Sequence, residues 1–434
     1  RDRMRRRAWE HARSMVWRQV GAQHLAILGA AAEQGALDSI RAWMTLPARP
    51  LEARVSAVVA AEAVPPVRRH LQRLSDGLGI AQHAVGAVPD LRHGYCTDDV
   101  ARALMADALY AERDAGPAVA RSIRRHLTFL DEAFDARLGR FRNFRSAAGD
   151  WLEAVGSEDS HGRALAALGE TALRVEDRSV ERLSRDLFAA ALPACLDLRH
   201  LRPWAYACLG CVAMLDAPHA ASISAPCRRA LIELGDRLAG AFAAARGATD
   251  WPWPEDVVTY DNGVLPRALL EAGRRLDRRP WIELGATVLR WLDQAQRAPA
   301  GHFRPIGNRG WWPRGSQPAQ WDQQPIEALS MLEAALAAEG ATRDPEFGGL
   351  AERAYAWFTG ANDLGLPVAD PSEGACHDGL GASGLNPNQG AESTLAWLVA
   401  VERMRGRSAA VARTLSTAAV APVLGTPAGS RAPR

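Results

Sequence analysis

The chain contains no lysine: every basic side chain other than histidine is an arginine. Schiff-base catalysis, a pyridoxal-phosphate lysine and a phosphate-loop lysine are therefore excluded. Cysteine is sparse, with Cys96, Cys195, Cys208, Cys211, Cys227 and Cys376 scattered along the chain and none at zinc-finger spacing. Cys208 and Cys211 lie inside an apolar helical run and read as small buried residues, with reduced thiols in a cytoplasm expected. Charge of one sign is also lacking. The 52 bases and 50 acids leave a formal +2, so there is no global pull towards nucleic acid or an anionic membrane. No apolar run approaches the roughly 20 residues of a membrane span, and no secretory signal is visible. No glycine-rich dinucleotide loop and no Gly-x-Ser-x-Gly elbow occur. Asp98-Asp99 and His377-Asp378 offer ligands for Ca²⁺, but no calcium-loop spacing accompanies them. No metal and no cofactor is expected.

What the chain does have is apolar bulk, 48% of 434 residues, enough for one large core or two modest ones. One event recurs along it: a polar loop runs straight into a nearly all-apolar helix. His93-Gly94-Tyr95-Cys96-Thr97-Asp98-Asp99 precedes Val100-Ala101-Arg102-Ala103-Leu104. Similar starts occur at Glu158-Asp159-Ser160-His161, Arg202-Pro203-Trp204, Tyr260-Asp261-Asn262, Trp321-Asp322-Gln323-Gln324 and Asn386-Pro387-Asn388-Gln389. Counted from Asp98 through Asp159, Trp204, Asp261 and Asp322 to Asn388, the spacings are 61, 45, 57, 61 and 66 residues. Between the starts lie helical stretches of mixed polarity: 117–133, 180–196, 225–244, 281–296 and 351–359. A helix apolar all round is buried, and a two-faced one covers it. Six such pairs predict an all-α (α/α)6 toroid over residues 48–404. Few period-two strands are visible, and Ile80-Ala81-Gln82-His83-Ala84 reads as extended loop. Residues 405–434, rich in Ala, Pro, Ser, Thr and Arg, are expected to be disordered.

In such a toroid the six inner N-termini open on one end, each with unpaired N–H groups and a partial positive charge. The residues before them then converge on one mouth. Capping accounts for one acid per helix. It does not account for doubled acids or for the histidines, arginines and aromatics beside them. Trp151, Trp251, Trp253, Trp311, Trp312 and Trp321 stand in loop-like segments, and loops lie at the surface. Flat indoles stack on the C–H faces of sugars, while carboxylates, amides and Arg take the hydroxyls. Together they predict an oligosaccharide or glycan cleft. Cleaving a glycosidic bond needs two carboxyl groups, and crowding pushes their pKa values apart. The expected catalytic pair comes from Glu158 or Asp159 on one side and Asp322 or Asp261 on the other. The expected sugar-binding set is His93, Tyr95, Asp98, Asp99, His161, Arg163, Trp204, Trp253, Glu255, Tyr260, Asn262, Arg304, Asn308, Trp311, Trp312, Gln323, Gln324, Asn388 and Gln389.

The architecture resembles the six-hairpin glycosidase superfamily, which implies a carbohydrate substrate without transferring catalytic positions. His93-Gly94-Tyr95-Cys96-Thr97-Asp98-Asp99-x-Ala101-Arg102-Ala103-Leu104 resembles a segment of bacterial proteins found in or beside glycosyltransferases. Residues 1–47, with the amphipathic Arg5–Val20 stretch and Ala12-Arg13-x-x-x-Trp17, resemble the last helix of GT-B family 4 glycosyltransferases. That resemblance, and the start at Arg1 rather than Met, imply a piece of a larger fused protein with a glycosyltransferase partner. The leading expectation is a glycoside hydrolase. A sugar epimerase or isomerase would instead use histidines, with His93, His161, His302 and His377 as candidates. A non-catalytic glycan-binding domain and a helical scaffold complete the alternatives.

Overall fold

The computed structural model describes residues 66–245 and 251–419. The expected helix over 1–47 lies outside them. Twelve α-helices occur among the described residues. Six form the inner ring: α2 (Thr97–Ala111), α4 (Glu158–Arg174), α6 (Leu201–Asp216), α8 (Val264–Leu276), α10 (Pro325–Thr342) and α12 (Ala391–Ala419). Each packs on the next, and α12 closes the ring against α2. Six more lie outside: α1 (Arg69–Leu74), α3 (Pro117–Ala133), α5 (Arg178–Ala191), α7 (Ser224–Ala245), α9 (Arg279–Ala295) and α11 (Pro345–Phe358). Each packs mainly on one inner helix, with the short α1 set against α12. The architecture is the expected (α/α)6 toroid, and the six predicted helix starts are the six inner N-termini.

Residue chemistry explains the two rings. Along α6, the run Ala205–Met214 is buried without interruption, so the helix has no solvent face. Along α5, burial falls on Val180, Ser184, Leu187, Phe188 and Ala191, the three-to-four spacing of a one-faced helix. Glycines set the tightest contact. A Cβ built on Gly169 of α4 would lie 2.4 Å from the Gly210 carbonyl oxygen of α6, and one on Gly210 would lie 2.6 Å from that of Leu165. Cys208 and Cys211 beside this contact are fully buried free thiols, filling the space as small residues.

Away from the mouth the bore is closed by charge. Arg403 of α12 reaches Glu170 of α4 at 3.0 Å and Glu333 of α10 at 2.8 Å, and Arg267 of α8 joins Glu333. Four inner helices are thus tied by one network whose side chains are about one-tenth exposed.

Two expectations are corrected. Ala81–Val85 is a strand, β1, not loop. It pairs antiparallel with β2 (Val88–Cys96), which pairs with β5 (Phe144–Arg145); the two-residue strands β3 (Phe134–Asp135) and β4 (Arg140–Phe141) pair with each other. Gly94 makes the sheet possible: at φ +62 it passes so close to Arg145 that a Cβ would overlap that carbonyl. The second correction concerns 405–434. Helix α12 runs on to Ala419, and Arg405 and Arg407 pair with Glu402, Glu339 and Glu352. Residues 420–434 lie outside the described residues. Among the described residues no helix is long and apolar enough to cross a membrane.

Candidate active site

The helix starts are built without using their acids as caps. Cys96 caps α2: its sulfur accepts from the Asp99 N–H and its thiol donates to Asp99 Oδ2 at 3.1 Å. The Asp99 carboxylate thus meets the capping thiol itself rather than closing a capping box on the Cys96 N–H. Ser157 caps α4 through the Ser160 N–H. Asp98, Asp99, Glu158 and Asp159 therefore sit inside their first turns, where the helix field favours negative charge and their oxygens are left for other work.

They open on a cleft of about 830 Å³, large enough for several sugar rings. Seven carboxyl groups line it, those of Asp98, Asp99, Glu158, Asp159, Glu255, Asp378 and Glu392, with Arg102, Arg163 and Arg202, His83 and His200, and Phe144 and Tyr260. Beneath, a bore of about 70 Å³ continues along the axis between Met105, Leu209, Ile326 and Leu395. Arg102, Arg163 and Glu392 border both spaces and form the throat between them.

Each acid has its own setting. Asp98 Oδ1 is 3.3 Å from Arg163 Nε, but off hydrogen-bonding alignment, so that oxygen has no partner. Burial raises the Asp98 carboxyl despite Arg163 and Arg102, and the nearby Asp159 adds to the rise. Asp99 bonds Arg102 at 2.8 Å and is pushed up to about 6 by burial, against the pull of Arg102. Asp159 accepts from the Tyr260 phenol at 2.7 Å. Glu158 Oε2 accepts from the Arg199 and His200 N–H groups and bonds His200 Nδ1 at 2.8 Å. Burial alone would raise Glu158, but these donors bring it below its ordinary value, which keeps it ionised and unsuited to proton donation.

Two buried nodes carry the loop 259–263. The Arg202 guanidinium bonds the Glu255 carboxylate, Thr259 Oγ1, Asn262 Oδ1 and the Tyr260 carbonyl, and lies over the Tyr260 ring at 4.4 Å. From below, fully buried Glu327 accepts from the Asp261 N–H at 2.6 Å and from Asn262 Nδ2 at 3.0 Å. Asp261 itself is held in the left-handed region at φ +47, an uncommon state for a side-chain-bearing residue.

The structure gathers Asp98, Asp99, Glu158, Asp159, Arg163, Glu255, Tyr260 and Gln324 on the cleft. It assigns other places to the remaining expected residues. Asp261 lies below the throat, bordering the bore, bonded to the Tyr206 hydroxyl and to Arg163 at 3.1 Å. Arg163 and these bonds outweigh burial and lower its carboxyl. Asp322 stands beside Gly379, off the lining. Tyr95 is buried, with its hydroxyl on Asp76. His161 is fully buried against Phe141, and burial lowers it to about 3, so it stays neutral. Asn262 and Gln323 are fully buried; Gln323 and Arg304 both bond Asp363. Asn388 and Gln389 fasten the hairpin tip at Gly86. Asn308 bonds the Asp322 carbonyl through its N–H. His93 packs edge-on against His83, which takes the lining position instead.

The tryptophan argument is corrected as well, since none of the six loop indoles lines the cleft. Trp251, Trp253 and Trp312 pack with Trp291 of α9, with Trp291 and Trp312 stacked at 5.0 Å. Trp151 packs on Phe129, Trp311 packs against the core, and the Trp204 indole donates to the Leu198 carbonyl. These rings fasten loops and outer helices to the toroid. A large ring in a loop lowers its free energy most by covering apolar surface, and loop position alone does not say which surface.

Sequence reading missed Gln82, His83, Arg102, Asn143, Phe144, His200, Arg202, Asp378, Glu392 and Ser393 on the lining. Arg202 and Glu392 stand in first turns and were open to the helix-start argument. The strand residues Gln82, His83 and Phe144 carried no such signal.

No family model matches the chain, and no curated protein matches it in sequence. Solved structures match it in shape. The cellobiose 2-epimerase of Bacillus thermoamylovorans superposes with a TM-score of 0.62 at 10% identity, over 82% of this chain and 99% of that one. The fold is the six-hairpin toroid. A D-mannose isomerase matches at 0.58 with 10% identity, over 84% of this chain and 100% of that one. An α-mannanase of Bacteroides thetaiotaomicron matches at 0.55 with 8% identity, over 82% and 97%. At such identities the likeness carries the fold, and the chemistry rests on the site.

Proposed function

We propose that this toroid is a carbohydrate-active enzyme that hydrolyses glycosidic bonds, with Asp98 as proton donor and Asp159 as the partner carboxylate. The observation that carries this reading is the contrast between the two groups on adjacent inner helices. Asp98 is mostly shielded from water, raised, and left with an oxygen that has no hydrogen-bond partner, the condition of a group that holds a proton and can give it to a leaving oxygen. Asp159 is oriented by the Tyr260 hydroxyl at the same cleft, suited to activate water or attack the sugar. The acid pair of the sequence reading moves accordingly: Glu158 keeps its place on the wall as an anchor for residues 199–200, and Asp261 and Asp322 give way to Asp98. Exposed Phe144 and Tyr260 offer faces on which a sugar ring can stack. That the solved structures matched above are named for a sugar epimerase, an isomerase and a mannanase supports the substrate class.

A second reading has its own support. His200 Nδ1 is bonded to Glu158, which turns the opposite ring nitrogen outward at the cleft. A carboxylate-oriented imidazole is a general base of the kind that proton transfer at a sugar carbon requires. One experiment separates the two. Oligosaccharides are incubated with the protein in D₂O and followed by NMR. New reducing ends support hydrolysis. Deuterium entering a sugar C–H position with all linkages intact supports epimerisation or isomerisation, and no change in any oligosaccharide overturns both. Where new ends form, the anomer released first distinguishes retention from inversion.

The His93–Leu104 phrase and the Ala12–Trp17 segment support a further part of the proposal: the toroid works in the cytoplasm beside, or joined to, a glycosyltransferase. Co-purification of the full-length product with transferase activity tests this, and a product with no such association overturns it.

A further inference from the structure

We propose that the cleft selects sugars by charge, taking amino sugars best, neutral sugars next and rejecting acidic ones, an inference that rests on the carbohydrate reading above. The three arginines are the groups that would receive a uronate, sulfate or phosphate. Each already stands in ion-pair range of carboxyl groups. Arg202 spends all its donor nitrogens on Glu255, Thr259, Asn262 and the Tyr260 carbonyl. Arg102 is divided between Asp99 at 2.8 Å and Glu392 at 2.7 Å. Arg163 lies between Asp98 and Asp261, with the Tyr206 ring 4.2 Å beneath it. An incoming anion would have to compete at each with a carboxylate that is already in place.

The remaining charge points the same way. Seven carboxyl groups against three guanidiniums leave the lining acidic even where Asp98 and Asp99 hold protons. A walled cleft of one sign focuses its field on an entering charge. Two lining carboxylates, Asp159 and Asp378, have no ion-pair partner among the described residues. Asp159 takes only the Tyr260 hydroxyl, and Asp378 only the Gly390 N–H. Each can accept hydrogen bonds from a sugar ammonium, and Asp378 is not a member of the proposed acid pair.

The test is calorimetric titration of the whole protein with matched oligosaccharides of gluco, galacto and manno type, each as neutral, 2-amino and uronic forms. Titrations are run at low and at raised salt. The expected result is binding of at least one amino oligosaccharide about tenfold tighter than its neutral counterpart, roughly one ion pair's worth. The advantage should shrink as salt screens it, and uronic forms should give no measurable heat. Asp378→Asn should bring the amino-to-neutral affinity ratio down towards one. A uronic form binding as well as its neutral counterpart overturns the inference alone. So does an amino advantage that is absent, or that survives in Asp378→Asn unaltered. Silence from all three classes overturns it together with the carbohydrate reading.

Discussion

The phenol of Tyr260 donates to the carboxylate of Asp159 at 2.7 Å, joining two residues 101 positions apart. One stands in the loop before α8, the other in the first turn of α4, so the bond crosses over α6. It fixes the orientation of Asp159, while the shielding of Asp98 from water raises its carboxyl. Asp98→Asn and Asp159→Asn should each lower kcat by about 10²–10⁴ and leave sugar binding measurable. Tyr260→Phe keeps the ring under Arg202 but frees Asp159, and should lower kcat by about tenfold with little change in KM. Because burial raises the Asp98 carboxyl, activity should fall as pH rises through its value, and Asp98→Asn should lack that alkaline limb. Initial rates against pH in the four proteins check this. Full activity in Asp98→Asn would remove it from the mechanism.

Glu327 makes stability depend on pH. Burial pushes its carboxyl up to about 8, with the Asp261 carboxylate adding to the rise and the Asp261 N–H opposing it. Between the ordinary glutamate range and about 8 the native state therefore holds a proton that the unfolded chain has released. Stability falls as pH rises wherever the native state binds more protons. Asp99, pushed up to about 6, acts in the same sense at lower pH, so the comparison with Glu327→Gln picks out the Glu327 share. Urea midpoints should decline from pH 6.5 to 9 in the natural protein. Glu327→Gln should be less stable at pH 6.5, by about 1–3 kcal/mol for the mismatched donor at Asn262, and its midpoint should stay flat across the window. An unchanged slope in the variant would show that Glu327 titrates elsewhere.

Arg403 is a second stability site, far from the cleft. Removing it leaves Glu170 and Glu333 facing each other with less compensation, since Arg174 and Arg267 remain on their outer sides. Arg403→Ala should cost about 3–5 kcal/mol, the range for breaking one partner out of a buried ionic group. Arg403→Ala combined with Glu170→Gln should recover part of it. Denaturant midpoints of the two variants test the order; a single variant within about 0.5 kcal/mol of the natural protein would show that the network is solvent-screened.

The contact between α4 and α6 tolerates no side chain. Gly169→Ala and Gly210→Ala each put a Cβ within 2.4–2.6 Å of a facing carbonyl oxygen, so the helices must part. Each should cost at least about 1–3 kcal/mol, whereas Gly240→Ala, with open space around the position, should be neutral or stabilising. Thermal unfolding of the three variants checks the contrast.

Much of the toroid was legible in the chain because its signal is local. An inner helix such as α6 must be apolar on every side, an outer one such as α5 on one side only, and both patterns can be read without knowing the neighbours. Parallel inner helices then bring first-turn residues to one mouth, which is why Asp98, Asp99, Glu158 and Asp159 were found by position alone. The mouth's other residues depended on contacts that no local pattern reports. His83 and Phe144 reach the lining through strand pairing across Gly94, and Asp378 through the approach to α12.

The order of residues, by itself, determined the alternation of buried and covering helices and the set of acids at their leading ends. Hydrophobic periodicity is written within a few turns of chain. Only the folded structure decided the rest: that Trp251, Trp253 and Trp312 pack together with Trp291, that Glu158 is an anchor, and that Asp98 keeps one oxygen without a hydrogen bond. Such assignments turn on which distant groups are within hydrogen-bonding reach and how much water is excluded. Those quantities exist only once the ring has closed.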